Sequence, residues 1–227
     1  MFKHSSKFAV LFLCAGISLS AIAKQDSKNL DTFSYALGVS MADSIKQRGM
    51  DDIDIKSMSQ GIADILGDKE LKYSFEEMQA AYEWYSKKQA AAQAEMASKA
   101  KAAGDKFRAD NKKNKGVKEL PNGIQYQELS AGKGPKPKLS DTITVHYHGS
   151  LINGEVFDSS VTRKEPATFP LNRVIPGWQE VLPMMQVGAK WRVVIPPELA
   201  YGEQGSGGPI GPNETLIFEI ELLSIDS

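Results

Sequence analysis

Hydrophobic periodicity changes once along this chain, between Lys115 and Pro121, and no other feature limits its fold so firmly. Before that point apolar residues recur at helical spacing. After it they alternate, as where Ile143, Val145 and Tyr147 face one way and Thr142, Thr144, His146 and His148 the other. Helices segregated from strands in this way predict an α+β chain with its boundary at the switch.

In the helical part, Phe33, Leu37, Met41 and Ile45 recur every fourth residue beside a row of small side chains, Ser34, Gly38 and Ala42, which lets two helix backbones approach closely. A second helix is expected with Asp54 as N-cap and an end at Gly67 in the left-handed conformation, burying Met58, Ile62, Ile65 and Leu66. Two helices this short bury too little apolar surface to stand alone, so a partner chain is expected. Ser74 with Glu77 forms a capping box, and the absence of proline before Pro121 allows one helix from Phe75 to about Asn114, roughly 60 Å long. Its second half is mostly Ala, Lys, Gln, Asp and Glu, with Met96 and Phe107 as the large apolar residues and Gly104 as a weak point. That composition fits a semi-rigid helical arm, with a solvated linker as the alternative and no heptad to suggest a coiled coil.

Lys3 and Lys7 precede an apolar run from Phe8 to Leu19, and Ala21-Ile22-Ala23 has the form of a signal cleavage site, giving a mature chain from Lys24. The run is too short for a membrane span, which takes about 20 residues. Cys14, the single cysteine, lies inside this segment. Its alternative role, as a lipid-attachment site, is disfavoured by Leu13 before it. The expected divisions are 1–23 as signal peptide, 24–73 as helical dimerisation region, 74–115 as connecting helix and 116–227 as the sheet domain. Export to the periplasm follows, with outer-membrane association left open. A formal net charge of -1 gives no concentrated basic surface, which argues against nucleic acid as a partner.

Within the sheet domain, Asn153-Gly154 between two apolar pairs predicts a two-residue hairpin. Trp191, Val193 and Ile195 alternate, as do Leu216, Phe218, Ile220 and Leu222, and proline in a first turn predicts a short helix from Pro176 to Leu182. Val156-Phe157-Asp158-Ser159-Ser160, then Val174-Ile175-Pro176-Gly177-Trp178, then Leu199-Ala200-Tyr201-Gly202 bring aromatic residues between the strands. In order, spacing and identity these segments resemble the FKBP family of peptidyl-prolyl cis/trans isomerases from about Gly123 to Ile225, and the whole mature chain resembles that family's secreted Mip and FkpA group.

The resemblance implies a bent antiparallel sheet over one short helix, with Trp178 as the floor of a pocket. It assigns Tyr147, Phe157, Asp158, Tyr201 and Phe218 to catalysis and Phe169, Val174, Ile175, Trp178 and Ile210 to substrate binding. It further implies a homodimer interlocked through the N-terminal helices, chaperone action on proline-containing folding proteins, and macrolide inhibitors such as rapamycin and tacrolimus. Ala167 stands where the small cytosolic members carry phenylalanine, which leaves the rim more open and bears on macrolide affinity. Ser206 replaces a histidine of the same members. A binding chaperone of the holdase type is the alternative function.

Such a pocket needs no nucleophile, metal or cofactor. His146 and His148 lie on the outward face of a strand with no third ligand nearby. Asp51, Asp52 and Asp54 lack the glycine and terminal glutamate of an EF-hand. Gly205-Ser206-Gly207-Gly208 lacks dinucleotide-loop spacing and reads as a flap over the pocket.

Overall fold

The computed structural model describes residues 19–50 and 52–226. The basic and apolar leader through Ser18, with Cys14, lies outside the described residues, as does Asp51. Two compact units divide at Ser74 and Phe75. Among the described residues no helix is long and apolar enough to cross a membrane.

The first unit contains α1 (Leu19–Gln47) and α2 (Ile55–Leu66). Asp54 caps α2 by accepting the Ser57 N–H at 2.7 Å, and that backbone bond holds its carboxyl below the ordinary aspartate value. The helix ends differently from expectation: Gly67 keeps a negative φ of -99°, and the left-handed position falls one residue later, on Asp68 at φ 49°. An aspartate tolerates that conformation because its short polar side chain bonds locally. Of the stripe on α1, Phe33 and Leu37 are exposed, and Met41, Ala42 and Ile45 border an apolar groove of about 400 Å³ with Met58 and Ile62 of α2. The residues expected to be buried by α2 are therefore largely uncovered, with Ile65 and Leu66 exposed.

The second unit begins with α3 (Phe75–Asn111), continuous through its alanine and lysine stretch. One face of its last turns is buried. Gly104 is buried where a β-carbon would lie 2.3 Å from Thr215 Oγ1, so glycine is what lets the helix backbone meet the sheet domain there. The expected weak point is a docking point. One turn on, Arg108 Nη1 donates to Thr215 Oγ1, and Asn111 Nδ2 donates to Gln125 Oε1 at 2.8 Å. Gln125 Nε2 donates in turn to the Arg108 carbonyl at 2.8 Å, and Arg192 Nη1 reaches Asn111 Oδ1 at 3.0 Å. Asn111, Gln125 and Thr215 are buried, and each has a partner, as buried polar groups require.

After α3 the strands are β1 (Lys118–Glu119), β2 (Gln125–Ser130), β3 (Thr142–Leu151) and β4 (Val156–Ser159). A helical turn, α4 (Ser160–Arg163), precedes β5 (Ala167–Pro170), and α5 (Pro176–Val181) precedes β6 (Lys190–Ile195) and β7 (Leu216–Asp226). The sheet is antiparallel in the order β1-β2-β6-β7-β3-β4, with β5 also pairing β3. The alternation in β3 and β7 matches burial residue by residue, with the inward row packed beneath α5.

The hairpin after β3 has a longer loop than its Asn-Gly pair suggests. Gly154 N–H bonds to Leu151 O at 3.0 Å and Leu151 N–H to Glu155 O at 2.8 Å. Gly154 has φ 87°, whereas Asn153 keeps a negative φ, so the turn is type I followed by a glycine bulge and not type I′. Asn153 Oδ1 accepts the Glu155 N–H at 2.9 Å, a local bond that favours this geometry.

Candidate active site

One edge of β3 pairs with β7 along its whole length, and the other is shared by two short strands, β4 at His148–Ser150 and β5 at Thr142–Val145. Between them the chain leaves the sheet as α4. Ser159 caps that turn by accepting the Thr162 N–H at 3.2 Å, and Ser160 Oγ accepts the Tyr147 N–H at 2.8 Å. His148 and His146, half-buried rather than simply outward, bring Nδ1 to within 3.0 Å of Ser159 Oγ and 3.1 Å of Ser160 Oγ.

This short excursion turns Arg163 back over Asp158. Arg163 Nη1 donates to Asp158 Oδ1, Tyr147 donates its hydroxyl proton to Asp158 Oδ2, and Arg163 Nη2 donates to Tyr147 Oη at 3.0 Å. Burial pushes the Asp158 carboxyl up, but hydrogen bonds from Tyr147 and Arg163, with the guanidinium charge, outweigh it and hold the group below its ordinary value. For Tyr147, burial and the bond to Asp158 raise the phenol, so it stays protonated. Neither residue is poised to exchange a proton at neutral pH. The triad is a fixed polar wall.

Opposite this wall α5 carries Trp178, with Pro176 in its first turn. The indole is buried and meets its neighbours edge to face: Tyr147 at 5.4 Å between ring centroids, Phe218 at 5.3 Å and Phe169 at 6.1 Å. Phe157 stands edge-on to Phe218 at 5.5 Å. These offsets suit the ring quadrupoles, which disfavour a face-to-face sandwich. Gly149 lies beneath the last pair, where a β-carbon would come within 2.6 Å of the Phe157 ring and 2.9 Å of the Phe218 ring.

A loop from Tyr201 to Glu214 closes the remaining side, folded on itself by Ser206 N–H to Ile210 O at 3.0 Å and Asn213 N–H to Gly202 O at 2.8 Å. The result is a mainly aromatic and aliphatic cleft of about 530 Å³. All ten residues singled out in the sequence line it: Tyr147, Phe157, Asp158, Phe169 and Val174 on one part, Ile175, Trp178, Tyr201, Ile210 and Phe218 on the other. Ser206 lines it too, together with Arg173 and Pro209, which the motifs did not indicate. Arg163 was also missed, although a capping serine followed by arginine on the next helical turn is the local signal that brings it back. Tyr201 is partly exposed, and among the described residues no hydrogen bond occupies its hydroxyl or the Ile175 N–H.

Comparison with known proteins agrees with this geometry. The family description "FKBP-type peptidyl-prolyl cis-trans isomerase" matches residues 134–223, and "Domain amino terminal to FKBP-type peptidyl-prolyl isomerase" matches 30–127. "Outer membrane protein MIP" of Legionella longbeachae is 41% identical over 92% of this chain and 94% of its own length. The chain belongs to the FKBP-type peptidyl-prolyl cis/trans isomerases. "Peptidyl-prolyl cis-trans isomerase Mip" of Coxiella burnetii is 42% identical to this isomerase, covering 94% of this chain and 96% of that one. The crystal structure of FkpA from Escherichia coli shares its fold with a TM-score of 0.61 at 41% identity, covering 88% of the isomerase and 96% of FkpA. The isomerase thus has the helical region and bent sheet of the Mip and FkpA group, and it acts on proline-containing substrates.

Proposed function

We propose that this isomerase turns X-Pro bonds within the cleft walled by Tyr147, Asp158, Trp178 and Phe218. Resonance across the C–N bond sets a barrier of about 18–20 kcal/mol, and the bond loses that resonance as it twists. The planar amide is the more polar form. An apolar, water-poor site therefore costs the ground state more than the twisted state, and the difference lowers the barrier in both directions. The proline ring packs over Trp178, with Phe169, Val174 and Ile210 around it. Ile175 N–H and the Tyr201 hydroxyl hold substrate carbonyls on either side of the ring, and Phe157 and Phe218 exclude water from the turning bond. Asp158, kept ionised by Arg163, presents a fixed negative end beside that bond.

The observation that carries this reading is the meeting of the aromatic edges and the Asp158 pair in one cleft, beside two donors without partners among the described residues. It is tested with Asp158→Ala, which removes the carboxylate bonded by Tyr147 and Arg163, and with Tyr201→Phe, which removes the hydroxyl alone. Loss of about 1 to 1.5 kcal/mol of transition-state stabilisation lowers kcat/KM on a proline peptide by roughly tenfold, with unchanged circular dichroism. Wild-type rates in both variants would exclude the cleft. Rapamycin is expected to compete with peptide there, with an affinity that reflects the open rim at Ala167.

The surrounding biology is proposed on separate grounds. The leader and its Ala21-Ile22-Ala23 site support export and cleavage before Lys24, and one relative is named an outer membrane protein, so the isomerase works in the cell envelope. The uncovered stripe of α1 and the groove beside it support a homodimer formed through the first unit. Paired isomerase domains raise the local concentration of binding sites around one unfolded client, and this avidity underlies chaperone action.

A further inference from the structure

Two charged side chains line the cleft, and their situations differ. Asp158 stays ionised, but its charge is paired with that of Arg163. Arg173 ends the 3-10 turn Leu171–Arg173 immediately before Val174 and Ile175, and its side chain is exposed at the rim. Among the described residues no ion pair or side-chain hydrogen bond engages its guanidinium. The backbone that carries it is pinned, since Gln179 Nε2 of α5 donates to the Val174 carbonyl at 2.7 Å. The unneutralised charge of an otherwise mainly apolar cleft is thus a cation on a fixed segment, two residues from the Ile175 N–H.

We infer that Arg173 is a specificity-determining residue, selecting X-Pro segments that carry aspartate or glutamate one or two residues from the proline. This rests on the proposal that turnover occurs in the cleft. An extended peptide advances about 3.3 Å per residue, so side chains at those positions pass the arm of an arginine two residues from Ile175. The guanidinium offers a planar fork of donors that matches a carboxylate, whereas the amide of glutamine gains no charge attraction from it. Arg173 lies away from the turning bond and attracts the acid equally before and during the twist. The preference therefore appears in KM and leaves kcat alone.

The test uses the full mature protein and NMR exchange spectroscopy on proline peptides with blocked, uncharged ends. Glutamate is compared with glutamine at each of the two positions before and after the proline. For an exposed pair the expected preference is about two- to fivefold in kcat/KM at low salt at one or more of these positions, fading near 1 M salt as the screening length falls to about 3 Å. Arg173→Gln brings the ratio to unity, and Arg173→Glu inverts it. A ratio of unity at all four positions in the wild type, or a ratio unchanged in Arg173→Gln, overturns the assignment. Asp158→Ala, run on the glutamine peptides, separates the two layers. If it is impaired while the wild type shows no acid preference, the cleft reading stands and Arg173 has no such role; if it and Tyr201→Phe are unimpaired, both fall.

Discussion

Gly104→Ala tests whether the end of α3 is truly seated on the sheet domain. In an exposed helix the change stabilises by about 1 kcal/mol, since alanine loses less backbone entropy than glycine. Here the new methyl would lie 2.3 Å from Thr215 Oγ1, 3.2 Å from Thr215 Cβ and 3.3 Å from an Arg108 nitrogen. Thr215 is fully buried and branched at Cβ, so it has no free rotamer to retreat into. Overpacking of this kind costs about 1–3 kcal/mol, which exceeds the helical gain and makes the variant less stable by about 1 kcal/mol. In a Thr215→Ala background the oxygen is gone and the remaining contacts are tight by only a few tenths of an ångström, so the same change becomes stabilising. The assay is urea unfolding of all four proteins, followed by near-ultraviolet circular dichroism. A coupling of about 1.5 kcal/mol between the two sites is expected; values inside the additive range of about 0.3–0.5 kcal/mol would refute the close seat.

Gly149→Ala pushes the Phe157 and Phe218 rings apart; stability falls by about 1–3 kcal/mol and peptide kcat/KM falls with it, while activity equal to wild type would mean the ring positions are not needed. Asp158 titrates below its unfolded value, so on acidification the unfolded chain takes up the proton first. Its stabilisation relative to Asp158→Asn is whole above the ordinary aspartate pKa of about 3.9 and is lost as pH falls through the lower native value; a difference already shrinking near neutrality in pH-dependent unfolding contradicts this. Gly38→Leu puts a large side chain into the small-residue row of α1, and sedimentation equilibrium should then report monomer with peptide isomerisation retained. Intact mass of the exported protein should correspond to a chain beginning at Lys24, and a species starting at a lipid-modified Cys14 would contradict the cleavage assignment.

What the sequence disclosed followed from how local each signal was. Strand alternation puts Tyr147 and Phe218 on inward rows and the first-turn proline places the short helix, whereas the assignment of Tyr147, Trp178 and Phe218 to a pocket comes from the resemblance to the FKBP family. The Asp54 cap was equally local. Gly154 was read as a turn residue correctly but in the wrong turn, because the choice between two loops depends on whether Asn153 adopts positive φ, and the dipeptide does not decide that. Gly104 was misread for a different reason: in an alanine and lysine helix, glycine looks like a flaw until Thr215, more than a hundred residues later, is seen against it. Asn111, Gln125 and Arg192 belong to the same class, polar residues whose pairing is invisible without the fold. Arg163 and Arg173 were hidden by ordinariness, since exposed arginines are common and only their position around the cleft sets them apart.

Because Gly104, Arg108 and Asn111 lock α3 to the sheet domain, the direction in which the cleft opens is a function of helix phase. Each residue of an α-helix turns about 100° and advances about 1.5 Å. One residue inserted early in α3, before Gly104, would swing the mouth of the cleft by roughly a quarter turn about the helix axis relative to Phe75, yet leave every contact at the lock intact. Three or four residues would bring the aim back to within roughly 60° or 40° at a longer reach. The length of this helix, counted in residues, therefore works as a dial that points the opening of the cleft, and evolution or design can turn it without touching the residues that line it.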